Sequence, residues 1–424
     1  MRHHLLVAAV WVVTTGGVHA GAATLAIQGR ANATPSVAAA NQFVVVAWGA
    51  TDETKAGTTD VYLAISRDGG RTFGAAVRVS DERHASLGAE QPPRVALVPQ
   101  AGRDPEVVVV WTAKSKDGSR LLISRSQNGG ASFTRAAPIP GSEATGNRGW
   151  ESIAVDRDGH VMAVWLDHRE ILSPPGNSAM HHDGHDHRSA GAPKADAAGR
   201  AQSSKLYFVT LDGEASSHAV TGGVCYCCKT AFATGPDGAI YVAWRHVYPG
   251  NRRDIAFTMS RDRGRTFAIP VRVSSDGWIL DGCPENGPAL AVGADDVVHA
   301  LWPTLVAAAT PDAEPTLALF HASVRDGGTF SPRERIATEG TPRHPQLTAT
   351  PAGLVAAWDE QEGGSRRVVL ARLARRGSAP THVSREIVSD NVRAQTPAIA
   401  ATSNALVIAW AEGTEQSVIR VERR

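Results

Sequence analysis

The sequence predicts an all-β protein, a seven-bladed β-propeller of four-stranded antiparallel blades, with six blades as the alternative count. Three observations predict it. A short apolar run ends in tryptophan seven times, at Trp48, Trp111, Trp165, Trp244, Trp302, Trp358 and Trp410. The intervals between them, 63, 54, 79, 58, 56 and 52 residues, each hold four short strands and their turns. The runs are dense in β-branched residues and bounded by Gly, Asp and Thr, with no long stretch of helical period.

The first unit reads SVAAA, FVVVAW, DVYLAIS and AVRVS between Pro35 and Ser80, and the fourth repeats it as TAFAT, IYVAW, IAFTMS and PVRVS. The last unit has only three runs, TPAIAA, LVIAW and SVIRVE, before Arg424. An orphan run, TLAIQG from Thr24 to Gly29, has the length and pattern of the missing strand. The two ends of the chain are therefore expected to pair and close the ring, removing an open sheet edge.

A repeat of this kind fills residues 21–424 as one domain. Lys+Arg number 43 against Asp+Glu 42, a balance that argues against nucleic acid or an anionic membrane surface as partner. No stretch of the body is long and apolar enough for a membrane span. Residues 1–20, with Arg2, the run LLVAAVWVV and Val18-His19-Ala20, read as a cleavable signal peptide. That places the mature protein in the periplasm or outside the cell, where a periplasmic protein partner is available. One insertion, at about 173–203, carries the tract MHHDGHDH from Met180 to His187. With little apolar surface to bury, it is expected to be a flexible loop.

A second signature recurs between third and fourth strands: SRDGGRTF (Ser66 to Phe73), SQNGGASF (Ser126 to Phe133) and SRDRGRTF (Ser260 to Phe267), with a shortened VRDGGTF ending at Phe330. It resembles the Asp-box, or BNR repeat, of the sialidase superfamily. The chemistry of these residues is structural. Asp68, Asn128 and Asp262 can accept hydrogen bonds from their own turn, and glycine supplies the positive φ. The resemblance implies a glycan-acting ancestry of the exo-α-sialidase type, with an arginine triad, an acid/base Asp and a late Tyr nucleophile. No Arg-Ile-Pro tripeptide is present, and none of the five tyrosines follows Tyr248. No catalytic residue is carried over, and true sialidase activity is not expected.

Residues just before each innermost strand crowd one mouth of a propeller's channel. Cys225, Cys227 and Cys228 in GGVCYCCKT precede the innermost strand of blade four, and Cys283 in DGCPENGPAL precedes that of blade five, so all four cysteines converge. His168 and His246 follow the second strands of blades three and four, and His344 leads into blade six. His181, His182, His185 and His187 lie in the loop beside His168. Thiolate and imidazole ligands select a soft ion, copper ahead of zinc.

Two other readings stand beside this one. An even number of cysteines in an exported protein forms structural disulfides. One bridge from the cluster to Cys283 is easy, but a second is awkward, because the neighbours Cys227 and Cys228 pair only through a strained ring. The third reading keeps the glycan. Arg148, Arg169, Arg245, Arg343 and Arg393 would clamp a carboxylate or sulfate, with Trp150 and Glu285 nearby and Glu151 or Asp167 moving protons. No nucleotide or organic cofactor is indicated. The seven periodic tryptophans are expected to pack between sheets, whereas Trp150 and Trp278 fall in mouth-facing connections.

Overall fold

The computed structural model describes residues 22–424 apart from 55–56, 82–83, 172–196, 214–215, 308–313, 375–381, 390 and 392. The signal-peptide reading and His181, His182, His185 and His187 lie outside the described residues. The chain forms seven four-stranded antiparallel sheets. The first strands of the blades touch one another in turn, and the seventh (Ala394–Ala401) touches the first (Ala31–Ala40), so the ring is closed. Ala23–Leu25 pairs antiparallel with Val418–Arg423 as the outermost strand of blade seven, with Ala23 opposite Val421. Across this seam the Asn32 amide donates to the Ser417 carbonyl at 2.9 Å, and Ser417 Oγ donates to the Asn32 carbonyl at 2.8 Å.

The tryptophans explain the period. All seven are at most 1% exposed, and each packs on the blade before its own. Trp111 joins Val45 and Leu63 of blade one, Trp302 joins Tyr241 and Phe257 of blade four, and Trp48 joins Val407 and Ala409 of blade seven. An indole buries some 150–250 Å², about 4–6 kcal/mol at the usual area coefficient, so one per interface is a strong blade-to-blade contact. In four of the seven the indole N–H is tied down locally. Trp165 donates to Asp167, Trp358 to Glu360, Trp410 to Glu412 and Trp244 to His246. Strand side chains two apart share a face, so the pattern Trp-x-acceptor is what a strand needs to satisfy a buried donor.

The hairpins between third and fourth strands carry the expected hydrogen bonds. In blade one, Ser66 Oγ donates to Asp68 Oδ1 at 2.6 Å, and the amides of Arg71 and Thr72 both donate to that oxygen at 2.9 Å. Blade four repeats this with Ser260, Asp262 and Thr266, whose hydroxyl and amide, with the Ser260 hydroxyl, hold the Asp262 carboxyl at about 2. In blade two, Asn128 accepts from the Ser132 amide at 3.0 Å and donates its own amide to the Ser132 hydroxyl. Gly70 is required here, since its φ is +91° and a Cβ would stand 2.8 Å from Val407 of blade seven.

Two placements differ from the sequence reading. The end of the insertion is ordered, because Ala197–Gln202 forms a short helix whose Ala201 is buried among the cysteines. Trp150 is not in a connection but, with Arg148 and Glu151, inside the innermost strand Arg148–Val155, and His344 does not precede its innermost strand but lies, with Arg343, inside Thr341–Thr350. Both strands break register near their starts, between Gly149 and Ser152 and between Arg343 and Gln346, with Trp150 at φ 55° and His344 at φ 50°. Such bulges let a strand begin earlier and re-aim its side chains.

Candidate functional site

The cysteine cluster sits where the innermost strands of blades four and five begin. Cys227 and Cys283 form a disulfide with Cα atoms 6.0 Å apart, and Cys225 and Cys228 are free thiols. The local backbone explains the convergence. The Cys225 amide donates to the Arg245 carbonyl at 2.8 Å, which lays the segment along the end of blade four's second strand. The turn that follows brings three sulfurs together: Cys225 to Cys227 is 3.8 Å, and Cys228 is 3.9 Å from each. All three residues are at most 4% exposed. Ala201, Tyr226, Val247 and Trp150 surround them.

Two buried guanidinium groups flank the sulfurs. Arg253, fully buried, donates from Nη1 to Cys225 Sγ at 3.2 Å, from Nε to the Leu280 carbonyl and from Nη2 to Asn251 Oδ1. Arg245, 1% exposed, donates to the carbonyls of Asn286, Arg253 and Pro303 and lies 4.9 Å from the Trp278 ring. The Asn286 amide points at Cys228 Sγ, 3.4 Å away. The Cys228 thiol bonded to it, then Arg253 and Arg245, lower Cys225 to about 7 despite burial. Burial and its role as donor push Cys228 well above the ordinary thiol value. Cys225 is thus the more acidic of the two thiols, with Cys228 as its donor and two guanidinium groups beside them.

The predicted histidines are placed around the cluster rather than in it. Among the described residues, the three sulfurs form a group within 4.8 Å that no histidine nitrogen joins. His168 is packed between Trp150 and Tyr226, at ring distances of 5.2 and 6.3 Å, and its Nε2 has no hydrogen-bond partner. His246 accepts from Trp244 Nε1 through Nδ1 and packs at a tilt against the Tyr248 ring, 4.5 Å between centroids. His344 stands on blade six with Nδ1 2.5 Å from Asp359 Oδ1.

The predicted arginine clamp is engaged by its own chain. Arg148 is 2% exposed and bonds Asp167 and the carbonyls of Ser119, Ser142 and Thr145. Arg169 forks onto Asp167 and reaches the Gly141 carbonyl. Arg393 is exposed and reaches Thr414, while Glu285 is exposed beside the cysteine segment. Arg343 Nε is buried without a partner. Glu151 is fully buried, accepts from Thr112 Oγ1 at 2.9 Å, and is pushed upward by burial. Trp278, expected in an open connection, is 7% exposed under Arg245.

Sequence reasoning missed the groups that tie the channel together. Glu90 Oε2 accepts from the amides of Lys229 and Gly287 at 3.0 and 2.6 Å, linking the entry to blade two with blades four and five. Lys229, 3% exposed and lowered to about 8 by burial, donates to the Pro345 carbonyl of blade six. Beneath them a cavity of about 250 Å³ on the axis is lined from all seven blades, including Arg94, Ser152, Lys229 and Gln346. A repeated signal was available, because Pro92 and Pro288 stand just before innermost strands and Pro35, Pro345 and Pro397 stand at the register breaks within them.

Burial holds His168 and His246 each at about 4 against an ordinary 6.5, with Arg272 adding to the effect at His246. The unfolded chain therefore binds protons that the folded chain refuses. Stability is expected to fall as pH drops through the window from 6.5 to about 4 and to lose nothing further from these groups below it. For His168 the full loss is about 3 kcal/mol. Urea midpoints across that window check this. His168→Phe should have the shallower pH dependence, and an unchanged slope would place the titration elsewhere.

No protein-family model and no curated protein matches the sequence. Solved structures match in fold. An ulvan lyase, described as a new family of polysaccharide lyase and bound to -[GlcA(1-4)Rha3S]-, aligns with a TM-score of 0.56 at 9% identity over 93% of each chain. The α-L-arabinofuranosidase of Fusarium graminearum with arabinobiose gives 0.52 at 10% identity over 94% of this chain and 96% of that one. A Hadza microbial sialidase gives 0.50 at 12% identity over 87% and 73%. At such identities the likeness is one of fold. The chain is a seven-bladed β-propeller similar in architecture to sialidase-, arabinofuranosidase- and lyase-type propellers. Among the described residues, no helix is long and apolar enough to cross a membrane.

Proposed function

We propose that this chain is an exported β-propeller that binds a soft metal ion, copper(I) ahead of zinc, at the cysteine cluster. The observation that carries this reading is the approach of three buried sulfurs to within 3.9 Å of one another, beside Arg253. Soft ions take thiolates at few coordination positions, and buried guanidinium charge offsets the negative charge of a copper(I) thiolate complex. Cys225 and Cys228 are the primary ligands, and Cys227 joins them when its bridge to Cys283 is open. His168 and His246 are held neutral by burial and line the approach, and the tract His181 to His187 serves as the capture loop.

The accompanying assignments follow from the same reading. Residues 1–20 are the export signal, residues 21–424 are one domain, and the Asp68, Asn128 and Asp262 hairpins are Asp-boxes of the sialidase type that serve the fold. The protein works in the periplasm or outside the cell.

Copper content decides it. Protein purified without chelator from copper-supplemented cells should carry about one copper per chain, in keeping with one sulfur group. Cys225→Ser with Cys228→Ser should lose it. Metal-free protein with both thiols intact and no copper uptake on titration would sink the reading.

A second reading has a specific observation behind it. The ulvan lyase and the arabinofuranosidase that share this fold are glycan-acting propellers, and this chain keeps an axial cavity edged by Arg94 and Lys229. In that reading the mouth takes an anionic or neutral glycan. Retention on an immobilised acidic polysaccharide, with no copper bound, would be its outcome in the same preparation.

A further inference from the structure

We propose that the cluster also reacts by thiol–disulfide exchange with a protein dithiol, that Cys283 is the point of attack, and that this exchange sets how many thiolates the site offers. Its consequence rests on the metal-binding reading, whereas its chemistry does not.

The two halves of the bridge have unlike surroundings. Cys283 is exposed, in a segment whose Asp281 and Glu285 are exposed as well. Cys227 is 4% exposed, with the free thiols of Cys225 and Cys228 at 3.8 and 3.9 Å. An incoming thiolate therefore meets Cys283 first. Attack on one sulfur of a bridge expels the other along the S–S axis, so the sulfur expelled here is the inner one. It is released into the sulfur group where Arg253 stands 3.2 Å from Cys225 Sγ, and cationic surroundings favour a departing thiolate.

The step balances without another reagent. The partner's first thiolate forms a bond to Cys283 sulfur as the Cys227–Cys283 bond breaks, and Cys227 leaves as a thiolate. The partner's second thiolate then attacks its own sulfur in the mixed disulfide, releasing Cys283. Two electrons pass from the dithiol, which becomes a disulfide, to the cysteine pair, and the two dithiol protons go to the new thiols or to solvent. Closed, the site has two thiols. Open, it has three buried sulfurs in mutual contact and a fourth at the surface. The reverse reaction, with an oxidised dithiol protein, restores the bridge.

The probe is a thioredoxin whose resolving cysteine is replaced by serine, so that the mixed disulfide persists. Incubated with the native, metal-free protein, it should form a one-to-one covalent adduct that peptide mass mapping places on Cys283 and that Cys283→Ser abolishes. An adduct on Cys225, Cys227 or Cys228 would overturn the assignment. So would the absence of any adduct with native protein when the unfolded protein reacts. Copper(I) titration separates the two ideas. Cys283→Ser, whose Cys227 cannot be bridged to it, should bind copper(I) about ten-fold tighter or more than wild type held oxidised. Equal affinity would break the link between bridge and site. An adduct at Cys283 with no copper bound by either form would leave the exchange standing and remove the metal reading.

Discussion

Replacing Arg253 by methionine is expected to cost about 3–5 kcal/mol of stability and, on the metal-binding proposal, to abolish tight copper(I) binding with it. The side chain is fully buried, and its three nitrogens satisfy the Leu280 carbonyl, the Asn251 side chain and the Cys225 sulfur. Methionine fills the volume but leaves three acceptors without their donor, the Cys225 sulfur fully buried and the Leu280 and Asn251 oxygens partly so. Charge-assisted hydrogen bonds of this kind contribute about 1.5–3 kcal/mol each. Lysine should not rescue the loss, because a single ammonium cannot reproduce the planar fork that reaches three acceptors. Urea unfolding at constant m-value measures the effect. A midpoint within error of wild type would show that the guanidinium neither braces the segment Asn251–Leu280 nor balances the sulfur charge.

The second large effect concerns the blade interfaces and comes as a pair of matched substitutions. Trp302 donates its indole N–H to Asp276 Oδ2 at 2.7 Å, and that carboxylate is fully buried with Arg333 on its other oxygen. Trp111 is as deeply buried, but its N–H has no partner. Phenylalanine at either site removes similar apolar area, whereas only at 302 does it strand a buried acceptor. Trp302→Phe should therefore cost about 1–3 kcal/mol more than Trp111→Phe. Alanine at either should cost about 3–5 kcal/mol from cavity formation alone. Equal losses for the two phenylalanine variants would mean that the Asp276 contact is neutral.

The contrast between Trp302 and Trp111 also shows what was legible in the chain. Blade number could be read because one residue type, too large to place anywhere but an interface, recurs at the end of the same strand. Cysteine convergence could be read because the position before an innermost strand is defined by that period. Arg253, Glu90, Lys229 and Asp276 could not be read this way, since each occurs once and finds a partner more than twenty residues away. Lys229 reaches Pro345, 116 residues away, and Glu90 reaches Gly287, 197 residues away. No local spacing encodes such contacts. The arginines illustrate the opposite hazard. Their residue type suggested an anion clamp, but Arg148 and Arg245 donate to backbone carbonyls of neighbouring segments, a need that composition does not reveal.

The seam in blade seven has a mechanical and kinetic corollary. Ala23 faces Val421 and Leu25 faces Ile419, so both tails leave the sheet from the same side, and tension between them peels the three pairs one after another instead of shearing them together. The first strand to be synthesised is also the last to find its neighbour, and six blades can assemble while blade seven waits with a bare flank. A bulky tag at either tail would load this latch directly, whereas one on a hairpin loop would leave it untouched.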